Sequence, residues 1–216
     1  MMPVMRLLTT VFLAAVLAFP QQTAPPTHPT STPYTGSLNI FEDPARDQKL
    51  QIDRVMDTLG LHAGSSIADI GAGGGWFSVR AAKRVGATGH VFAEDINPAA
   101  IDAIRARAIK ENLLNIQPYL GTPDDPKLPP NSLDAALMLR VYHEIAHPPL
   151  LLASLFASMK SGARLAIIDH PGHGDDHGIN PEVVIPEVER SGFHFVKQYD
   201  FTKADQNDYL LLFTKP

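Results

Sequence analysis

The sequence predicts a single three-layer α/β domain built on a seven-stranded, mostly parallel sheet with an antiparallel last strand. Short apolar runs alternate along the chain with amphipathic stretches of helical period, which is the pattern of β-α-β units. A glycine-rich turn follows the first of these runs. The last two runs are joined only by a short polar loop, which favours antiparallel pairing. With 216 residues, 44% of them hydrophobic, the chain can bury one core of this size.

The first 42 residues differ in composition from the rest of the chain. An apolar run, Leu7 to Phe19, precedes a segment rich in Pro, Thr and Gln. The run is short for a membrane span, and Val16 to Ala18 offers small residues where a signal peptidase cleaves. We therefore expect a signal peptide or anchor in residues 1–19, a Pro/Thr-rich linker in residues 20–42 and the folded domain in residues 43–216. The protein would be exported (periplasmic or secreted) or membrane-anchored, or cytoplasmic if the start codon is mis-assigned.

Charge and cysteine content limit the classes of partner. The net charge is −5 and the isoelectric point is about 5.9, so the chain offers no general attraction to nucleic acid. A small-molecule substrate is the expected partner. The absence of cysteine excludes a lipoprotein anchor and a disulfide framework.

The first elements lead into the glycine-rich turn. Residues Asp43 to Leu59 carry a proline at the first helical position and apolar residues at helical spacing, which predicts one helix on the sheet edge or over the mouth of a binding site. The run Ile67 to Ile70 predicts the first strand, and the apolar spacing from Phe77 to Val85 predicts a helix after the turn.

The turn itself indicates a ligand site. Gly71, Ala72, Gly73 and Gly75 form a turn in which bare peptide groups can approach a ligand, because glycine has no Cβ and tolerates positive φ. The amides that open the following helix carry unsatisfied donors and a partial positive charge, and Asp69 places a carboxylate just before them. A close strand-to-helix packing turn without a ligand is the structural alternative.

A second pair of acids follows the next strand, Gly89 to Asp95. In a doubly wound sheet the carboxyl end of the second strand lies beside the ligand, where a carboxylate can accept hydrogen bonds from both ribose hydroxyls. Asp95 lies 20 positions after Gly75, which is the expected offset, so we assign the ribose contact to Asp95 with Glu94 as the alternative. In the other interpretation, both acids only cap the next helix.

The remaining elements complete the alternation. The next helix should bury Ile101, Ile104, Ala108 and Ile109 on one face. The loop from Gly121 to Pro130 contains too many prolines for a helix. The predicted bounds are Pro98–Leu113, Pro148–Lys160 and Pro181–Ser191 for helices, and Asn115–Leu120, Asn131–Leu139, Ala163–Asp169, Phe193–Tyr199 and Asp208–Thr214 for strands.

The end of the fourth strand carries the candidate residues for contact with the substrate. Arg140, Tyr142, His143 and Glu144 follow this strand directly, at the crevice where α/β enzymes place their chemistry. We predict a cofactor contact for Arg140 and catalytic roles for the other three. His143 suits the transfer of a proton from an acceptor group. A structural histidine bonded to backbone is the equal alternative.

A histidine-rich loop follows the fifth strand. His170, His173 and His177 lie close to two aspartates, a pattern that resembles metal ligands. No helix or strand fixes a fourth ligand, however, and the loop is rich in glycine. We therefore interpret the loop as a lid over the acceptor pocket and assign no metal site.

The motifs resemble those of class I S-adenosylmethionine-dependent methyltransferases. Asp69-x-Gly71-x-Gly73-x-Gly75 is similar to the first motif of that family, and Asp95-Ile96-Asn97-Pro98 is similar to the second. Lys160-Ser-Gly-Ala-Arg-Leu165 resembles a further turn of the family. The resemblance covers roughly Asp43 to the C-terminus and is strongest to small bacterial methyltransferases that carry export signals.

This resemblance implies a Rossmann-like methyltransferase fold with S-adenosyl-L-methionine as the cofactor. It places the methionine end at Asp69 and the glycine turn, the ribose at Asp95 next to Ile96, and the adenine at Asp124 or Asp125. Thr122 stands where the family more often has aspartate. The absence of cysteine argues against the thiol-dependent arsenite methyltransferases.

Three other interpretations stay open. A nicotinamide-dependent oxidoreductase shares the β-α-β start, but the third glycine of its fingerprint would fall at position 76, which is Trp76. A non-catalytic protein could keep the fold and bind S-adenosylmethionine without transferring its methyl group. A metal-binding protein could use the histidine loop. The expected function is methyl transfer from S-adenosylmethionine to a small-molecule acceptor.

Overall fold

The computed structural model describes residues 28–38, 42–202 and 207–216 and has the predicted three-layer α/β fold. A seven-stranded sheet lies between two layers of helices. The elements in chain order are α1 (Arg46–Leu50), α2 (Ile52–Thr58), β1 (Ser66–Ile70), α3 (Trp76–Val85), β2 (His90–Asp95), α4 (Pro98–Lys110), β3 (Ile116–Leu120), β4 (Leu133–Leu139), α5 (Pro148–Ser158), β5 (Met159–Asp169), α6 (Pro181–Arg190), β6 (His194–Tyr199) and β7 (Tyr209–Thr214), with a 3₁₀ turn at Tyr142–Glu144 between β4 and α5.

The strand order places a crevice at the centre of the sheet. The order is β3-β2-β1-β4-β5-β7-β6. Strand β1 pairs in parallel with both β2 and β4, so the chain reverses its direction of winding between β1 and β4. Ligands of open α/β sheets bind outside the carboxyl ends of the strands at such a point. The glycine turn, the acids of β2 and the residues after β4 all lie at this edge.

The last strand is antiparallel, as the sequence predicted. Strand β7 lies between β5 and β6 and pairs antiparallel with both. All other pairs in the sheet are parallel. Strand β7 therefore runs against the direction of both of its neighbours.

Two hydrophobic cores flank the sheet. One packs α1, α2, α3 and α4 against one face, with Phe77, Ile104 and Leu137 among its buried residues. The other packs α5 and α6 against the opposite face, where Leu155 and Val188 are fully buried. These two cores hold the strand ends, and therefore the crevice, in fixed relative positions.

Two expectations about the helices were wrong. The predicted single helix of residues 43–59 is two short helices, because Gln51 adopts a left-handed backbone conformation with φ of 49°. Ile109, expected on the buried face of α4, is 72% exposed, since the helix axis turns that position away from β2 and β3. The predicted bounds of the other helices and strands differ from those observed by at most a few residues at their ends.

The predicted signal peptide or anchor of residues 1–19 lies outside the described residues, as do residues 20–27 and 39–41 of the predicted linker. Among the residues that the structure describes, no helix has both the length and the apolar character that a membrane crossing needs. Compartment and domain boundaries therefore stay predictions.

Candidate cofactor and acceptor site

The glycine-rich turn joins the end of β1 to the start of α3. Gly71, Gly73 and Gly75 have φ values of 67°, 54° and 74°, a region that residues with a Cβ rarely occupy. A side chain at position 71 would also collide with Val141, which follows β4. The turn thus presents backbone rather than side chains to the crevice, and it needs glycine to do so.

Asp69 lies buried beneath this turn. Its carboxylate is 2% exposed and accepts a hydrogen bond from Ser78 Oγ at 2.6 Å. Burial raises the pKa of Asp69 to about 6, and the Ser78 hydrogen bond and the charge of Arg46 only partly oppose this. The ionised carboxylate is therefore short of positive partners.

Asp95 lies at the tip of β2 and contacts the turn directly. Its Oδ2 accepts a hydrogen bond from the Gly73 N–H at 2.8 Å, and its Oδ1 accepts one from the Asn97 N–H at 2.8 Å. Ile96, the next residue, is 38% exposed and offers an apolar surface at the same edge. The structure thus brings the two motifs of the sequence together.

Glu94 is the more buried acid of the pair. It is 2% exposed, its Oε1 has no hydrogen-bond partner, and its Oε2 lies 3.4 Å from the Gly71 N–H. Burial, followed by repulsion from Asp95, raises the pKa of Glu94 to about 8. Its backbone carbonyl accepts a hydrogen bond from the Ala72 N–H at 2.8 Å. A side chain at Gly121 would collide with the Glu94 carboxyl group, so this glycine makes room for the acid.

Arg46 is a site residue that the sequence did not single out. It begins α1, and its guanidinium lies over the Trp76 ring with Cζ 4.3 Å from the ring centroid. Burial lowers the pKa of Arg46 to about 10. The charge of Asp69 raises this pKa, whereas the charge of Arg140 lowers it. The sequence indicated Arg46 only indirectly, through the expectation that the first helix lies on the sheet edge or over the mouth of a binding site.

The two adenine candidates have protein partners. Asp124 Oδ1 lies 2.8 Å from His147 Nδ1. Asp125 accepts hydrogen bonds from the Ser154 hydroxyl and, at 2.8 Å, from the Lys127 N–H. These contacts lower the pKa of Asp125, with the Ser154 hydrogen bond as the main cause. An adenine contact by either carboxylate stays a prediction.

Arg140 follows β4 with φ of 59°. Its Nη2 and Nε donate to the two carboxylate oxygens of Asp208 at 2.6 and 3.2 Å. Asp208 is buried just before β7, so this pair ties the end of β4 to the last strand. Arg140 also adds positive charge to the site, as its effect on the pKa of Arg46 shows.

His143 is held by a buried carboxylate on the acceptor side. It is 4% exposed, and its Nδ1 lies 2.9 and 3.0 Å from the two oxygens of Asp169 at the end of β5. Asp169 is fully buried and also accepts the His143 N–H at 3.2 Å and the His170 N–H at 3.0 Å. A carboxylate at Nδ1 makes this nitrogen the N–H donor, so the lone pair of the ring lies on Nε2.

Glu144 lies beside that lone pair. Its Oε1 is 3.8 Å from His143 Nε2. Burial raises the pKa of Glu144 to about 7, and the charge of His143 only partly opposes this. The predicted pair of His143 and Glu144 is therefore brought together at the acceptor side.

Tyr142 lies elsewhere. Its side chain is fully buried in the core beneath α6, and its hydroxyl donates to Glu187 Oε2 at 3.0 Å. The ring of His28 stacks on it with centroids 6.2 Å apart. The structure does not bring the Tyr142 hydroxyl to the position of His143 and Glu144, because neighbouring residues of a one-turn helix point in different directions.

Residues 28–38, which we call the N-terminal strap, cross the acceptor side. The Ser31 N–H donates to the His143 carbonyl oxygen at 3.0 Å, and the Ser31 hydroxyl donates to the Gly174 carbonyl oxygen at 2.8 Å. The same hydroxyl accepts the His177 N–H at 2.9 Å. A buried serine thus joins the strap to the 3₁₀ turn and to the histidine-rich loop.

The charges of the crevice fit a cationic ligand. Burial disfavours the ionised forms of Asp69, Glu94 and Glu144, and the unpartnered oxygen of Glu94 leaves one acceptor unsatisfied. Arg46 adds a guanidinium over the ring of Trp76, the first residue of α3 after the turn. A molecule that carries a sulfonium, an ammonium, a carboxylate and hydroxyl groups would satisfy all of these groups, and S-adenosylmethionine is such a molecule.

Part of the chain is similar to known methyltransferases. Residues 67–162 match the model of a family described as a methyltransferase domain. Over 114 residues the chain is 29% identical to the ubiquinone/menaquinone biosynthesis C-methyltransferase UbiE of Chromobacterium violaceum. That alignment takes in 53% of this chain and 46% of the relative, so the chain spans less than half the length of the relative it matches.

Solved structures agree on the fold. A methyltransferase of Aquifex aeolicus described as S-adenosylmethionine-dependent superposes with a TM-score of 0.76 at 23% identity, covering 83% of this chain and 97% of its own. The geranyl diphosphate C-methyltransferase of Streptomyces coelicolor A3(2), crystallised with Mg²⁺, geranyl diphosphate and S-adenosyl-L-homocysteine, superposes with a TM-score of 0.67 at 14% identity, covering 88% and 91%. Residues 67–162 are therefore similar to a methyltransferase domain, and the chain shares the α/β fold of these solved structures.

Proposed function

We propose that this protein transfers the methyl group of S-adenosylmethionine to a small-molecule acceptor. The observation that carries the proposal is the glycine turn, which lies between the buried Asp69 and the acids Glu94 and Asp95 of the neighbouring strand. Burial disfavours the ionised forms of Asp69 and Glu94 in the protein alone. The methyltransferase domain match and the shared fold support the same reaction class.

Each part of the cofactor has a counterpart in the crevice. The turn amides and Asp69 would hold the methionine end, and Arg46 would pair with its carboxylate. Asp95 would accept the ribose hydroxyls, with Glu94 as the alternative, because both acids end β2 beside the turn. Charge-assisted hydrogen bonds of this kind are stronger than neutral ones.

The protein's own residues then position and prepare the acceptor. When bound, S-adenosylmethionine supplies a methyl group that its sulfonium makes electrophilic, and attack by an acceptor lone pair breaks the carbon–sulfur bond and leaves the bonding electrons on sulfur. Asp169 holds the His143 ring so that the Nε2 lone pair lies beside Glu144. That lone pair can receive the acceptor's proton or bind a Lewis acid.

A small acceptor agrees with the charge of the chain and with the strap. The net charge of −5 disfavours phosphate-rich polymers. The strap crosses the acceptor side through Ser31, which reduces the open surface next to His143. A carbon acceptor is one option, because the curated relative from Chromobacterium violaceum is a C-methyltransferase.

The test measures binding and turnover separately on the full chain. Isothermal titration with S-adenosylmethionine, S-adenosylhomocysteine and NADH should show binding of the first two only. Release of S-adenosylhomocysteine should then be measured with a panel of catechols, hydroquinones, amines and thiols. Binding of NADH alone would indicate an oxidoreductase, and binding of S-adenosylmethionine without release of product from any acceptor would indicate a non-catalytic binder.

A further inference from the structure

The acceptor side contains a cluster of three side chains that can hold a metal ion. His143, Glu144 and His177 each offer one ligand atom, and the three atoms lie within 4.8 Å of one another. Two imidazoles and one carboxylate suit divalent transition metals such as Zn²⁺ or Co²⁺. His177 comes from the histidine-rich loop, 33 positions after Glu144, so the fold creates a ligand set that no local spacing in the sequence contains.

The first ligand is already oriented by the protein. Both oxygens of Asp169 lie within 3.0 Å of His143 Nδ1. This arrangement leaves Nε2 as the nitrogen with a free lone pair, and Nε2 is the nitrogen that lies 3.8 Å from Glu144 Oε1. A carboxylate that bonds the distal nitrogen of a metal-binding histidine is the usual support of such a ligand.

The third ligand lies on a loop that is fixed by several contacts. The His177 N–H donates to Ser31 Oγ at 2.9 Å. The Gly174 N–H donates to the Gly178 carbonyl oxygen at 2.6 Å, and the Ile179 N–H donates to the His170 carbonyl oxygen at 2.8 Å. These bonds close the loop on itself and on the strap. The His177 ring meets the His143 ring edge-on, with centroids 6.0 Å apart.

The cluster needs only a small contraction to bind a metal ion. Ligands about 2.0 to 2.1 Å from a tetrahedral ion lie about 3.4 Å from one another. His143 Nε2 and Glu144 Oε1 lie 3.8 Å apart. The side chain of His177 is exposed, so it can move towards these two atoms. Three protein ligands leave a fourth position for another molecule, which is the pattern of catalytic metal sites.

We propose that His143, Glu144 and His177 bind one divalent transition-metal ion at the acceptor side of the crevice. The catalytic role of this ion rests on the proposed function: an oxygen of the acceptor would take the fourth position and release its proton to solvent water, because a bound cation stabilises the oxyanion. The oxyanion is then the nucleophile, and His143 acts as a ligand rather than as the proton acceptor.

The other histidines of the loop are not part of the cluster and provide a control. His173 is strongly exposed and pairs with Asp176 at 3.0 Å. His170 turns its Nδ1 towards Arg140 at 3.4 Å. His173→Ala therefore removes an imidazole from the same loop without touching the proposed ligands.

The experiment measures metal binding by the chelator-treated full chain. Zn²⁺ is titrated calorimetrically against a competing chelator, and Co²⁺ is titrated by its visible ligand-field absorption. The variants are His177→Asn, which keeps a residue that tolerates the left-handed backbone at φ of 62°, then Glu144→Gln and His173→Ala. We expect one ion per chain, an affinity at least about 10-fold weaker for the first two variants, and wild-type affinity for His173→Ala.

The alternative outcomes are distinct. Failure of the wild-type protein to bind either ion, or unchanged affinity of both His177→Asn and Glu144→Gln, would overturn the proposal. Equal loss of affinity in His173→Ala would assign the ion to the loop alone and would also overturn it. The titrations contain no S-adenosylmethionine. A protein that binds metal but no cofactor therefore refutes only the proposed function, and one that binds cofactor but no metal refutes only the metal site.

Discussion

The buried carboxyl group of Glu94 should make the cofactor-free protein less stable as the pH rises. The pKa of Glu94 is about 8 in the folded state, against an ordinary value of 4.5. Between these two values the folded chain holds one proton more than the unfolded chain at this position. Each pH unit then lowers the free energy of unfolding by about 1.4 kcal/mol, so the loss between pH 5 and pH 8 is about 4 kcal/mol. This is a large fraction of the 5 to 15 kcal/mol typical of a domain.

Glu94→Gln tests this sign and size. The amide has the shape of the protonated acid but does not ionise, so the two proteins should differ by no more than about 1 kcal/mol at pH 5. At pH 8 the variant should be the more stable by about 4 kcal/mol. The raised pKa values of Asp69 and Glu144 also lower the free energy of unfolding as the pH rises. This effect is the same in both proteins, so it cancels in the difference between them.

The measurement is urea unfolding followed by far-ultraviolet circular dichroism at pH 5, 6, 7 and 8, without cofactor. Glu189→Gln, which changes an exposed glutamate on α6, is the matched control and should follow the wild-type curve. The reasoning would be refuted if the difference in free energy of unfolding between Glu94→Gln and wild type stayed constant with pH. It would also be refuted if the wild type became more stable relative to the variant as the pH rises.

Three further substitutions test the cofactor site by calorimetry with S-adenosylmethionine. Gly73→Val should abolish binding, because a side chain at φ of 54° would be strained and would fill ligand space. The circular dichroism spectrum should stay that of the wild type. Unchanged affinity would show that the turn is not the site. Asp95→Ala should weaken binding by about 1 to 3 kcal/mol, whereas Asp102→Ala, on the exposed side of α4, should not; equal effects would remove the ribose assignment. Arg46→Gln should weaken S-adenosylmethionine about 10-fold but leave 5′-methylthioadenosine, which lacks the carboxylate, unaffected; a loss for both ligands would refute the carboxylate contact.

The parts of the fold that follow from short-range chain geometry could be predicted from the sequence. Asp69 to Gly75 is one strand end and one turn, and its residue types restrict it to few conformations. Asp95 was found by its offset from Gly75, because a crossover helix of ordinary length fixes that spacing. The parallel pairing then followed from the alternation of elements, and the antiparallel last strand followed from the short polar loop before it.

The parts that depend on contacts between distant segments could not be predicted in this way. His143 and His177 meet only because β4 and β5 are neighbours in the sheet. The strap is rich in proline and was placed within a linker, yet Ser31 is buried there by hydrogen bonds to two other segments. Tyr142 and His143 are adjacent in sequence, but one enters the core and the other the crevice. The spacing of apolar and polar residues in the sequence does not show which of two adjacent residues in a single helical turn faces the core.

The position of Trp76 has a practical consequence. It is the only tryptophan of the 216 residues, and its ring packs against two guanidinium groups, with Arg46 Cζ at 4.3 Å and Arg80 Cζ at 4.0 Å from its centroid. The tryptophan fluorescence of the protein therefore reports on one place, the start of α3 beside the glycine turn. Any ligand that draws Arg46 off the indole should change the emission, so occupancy can be followed optically without a label.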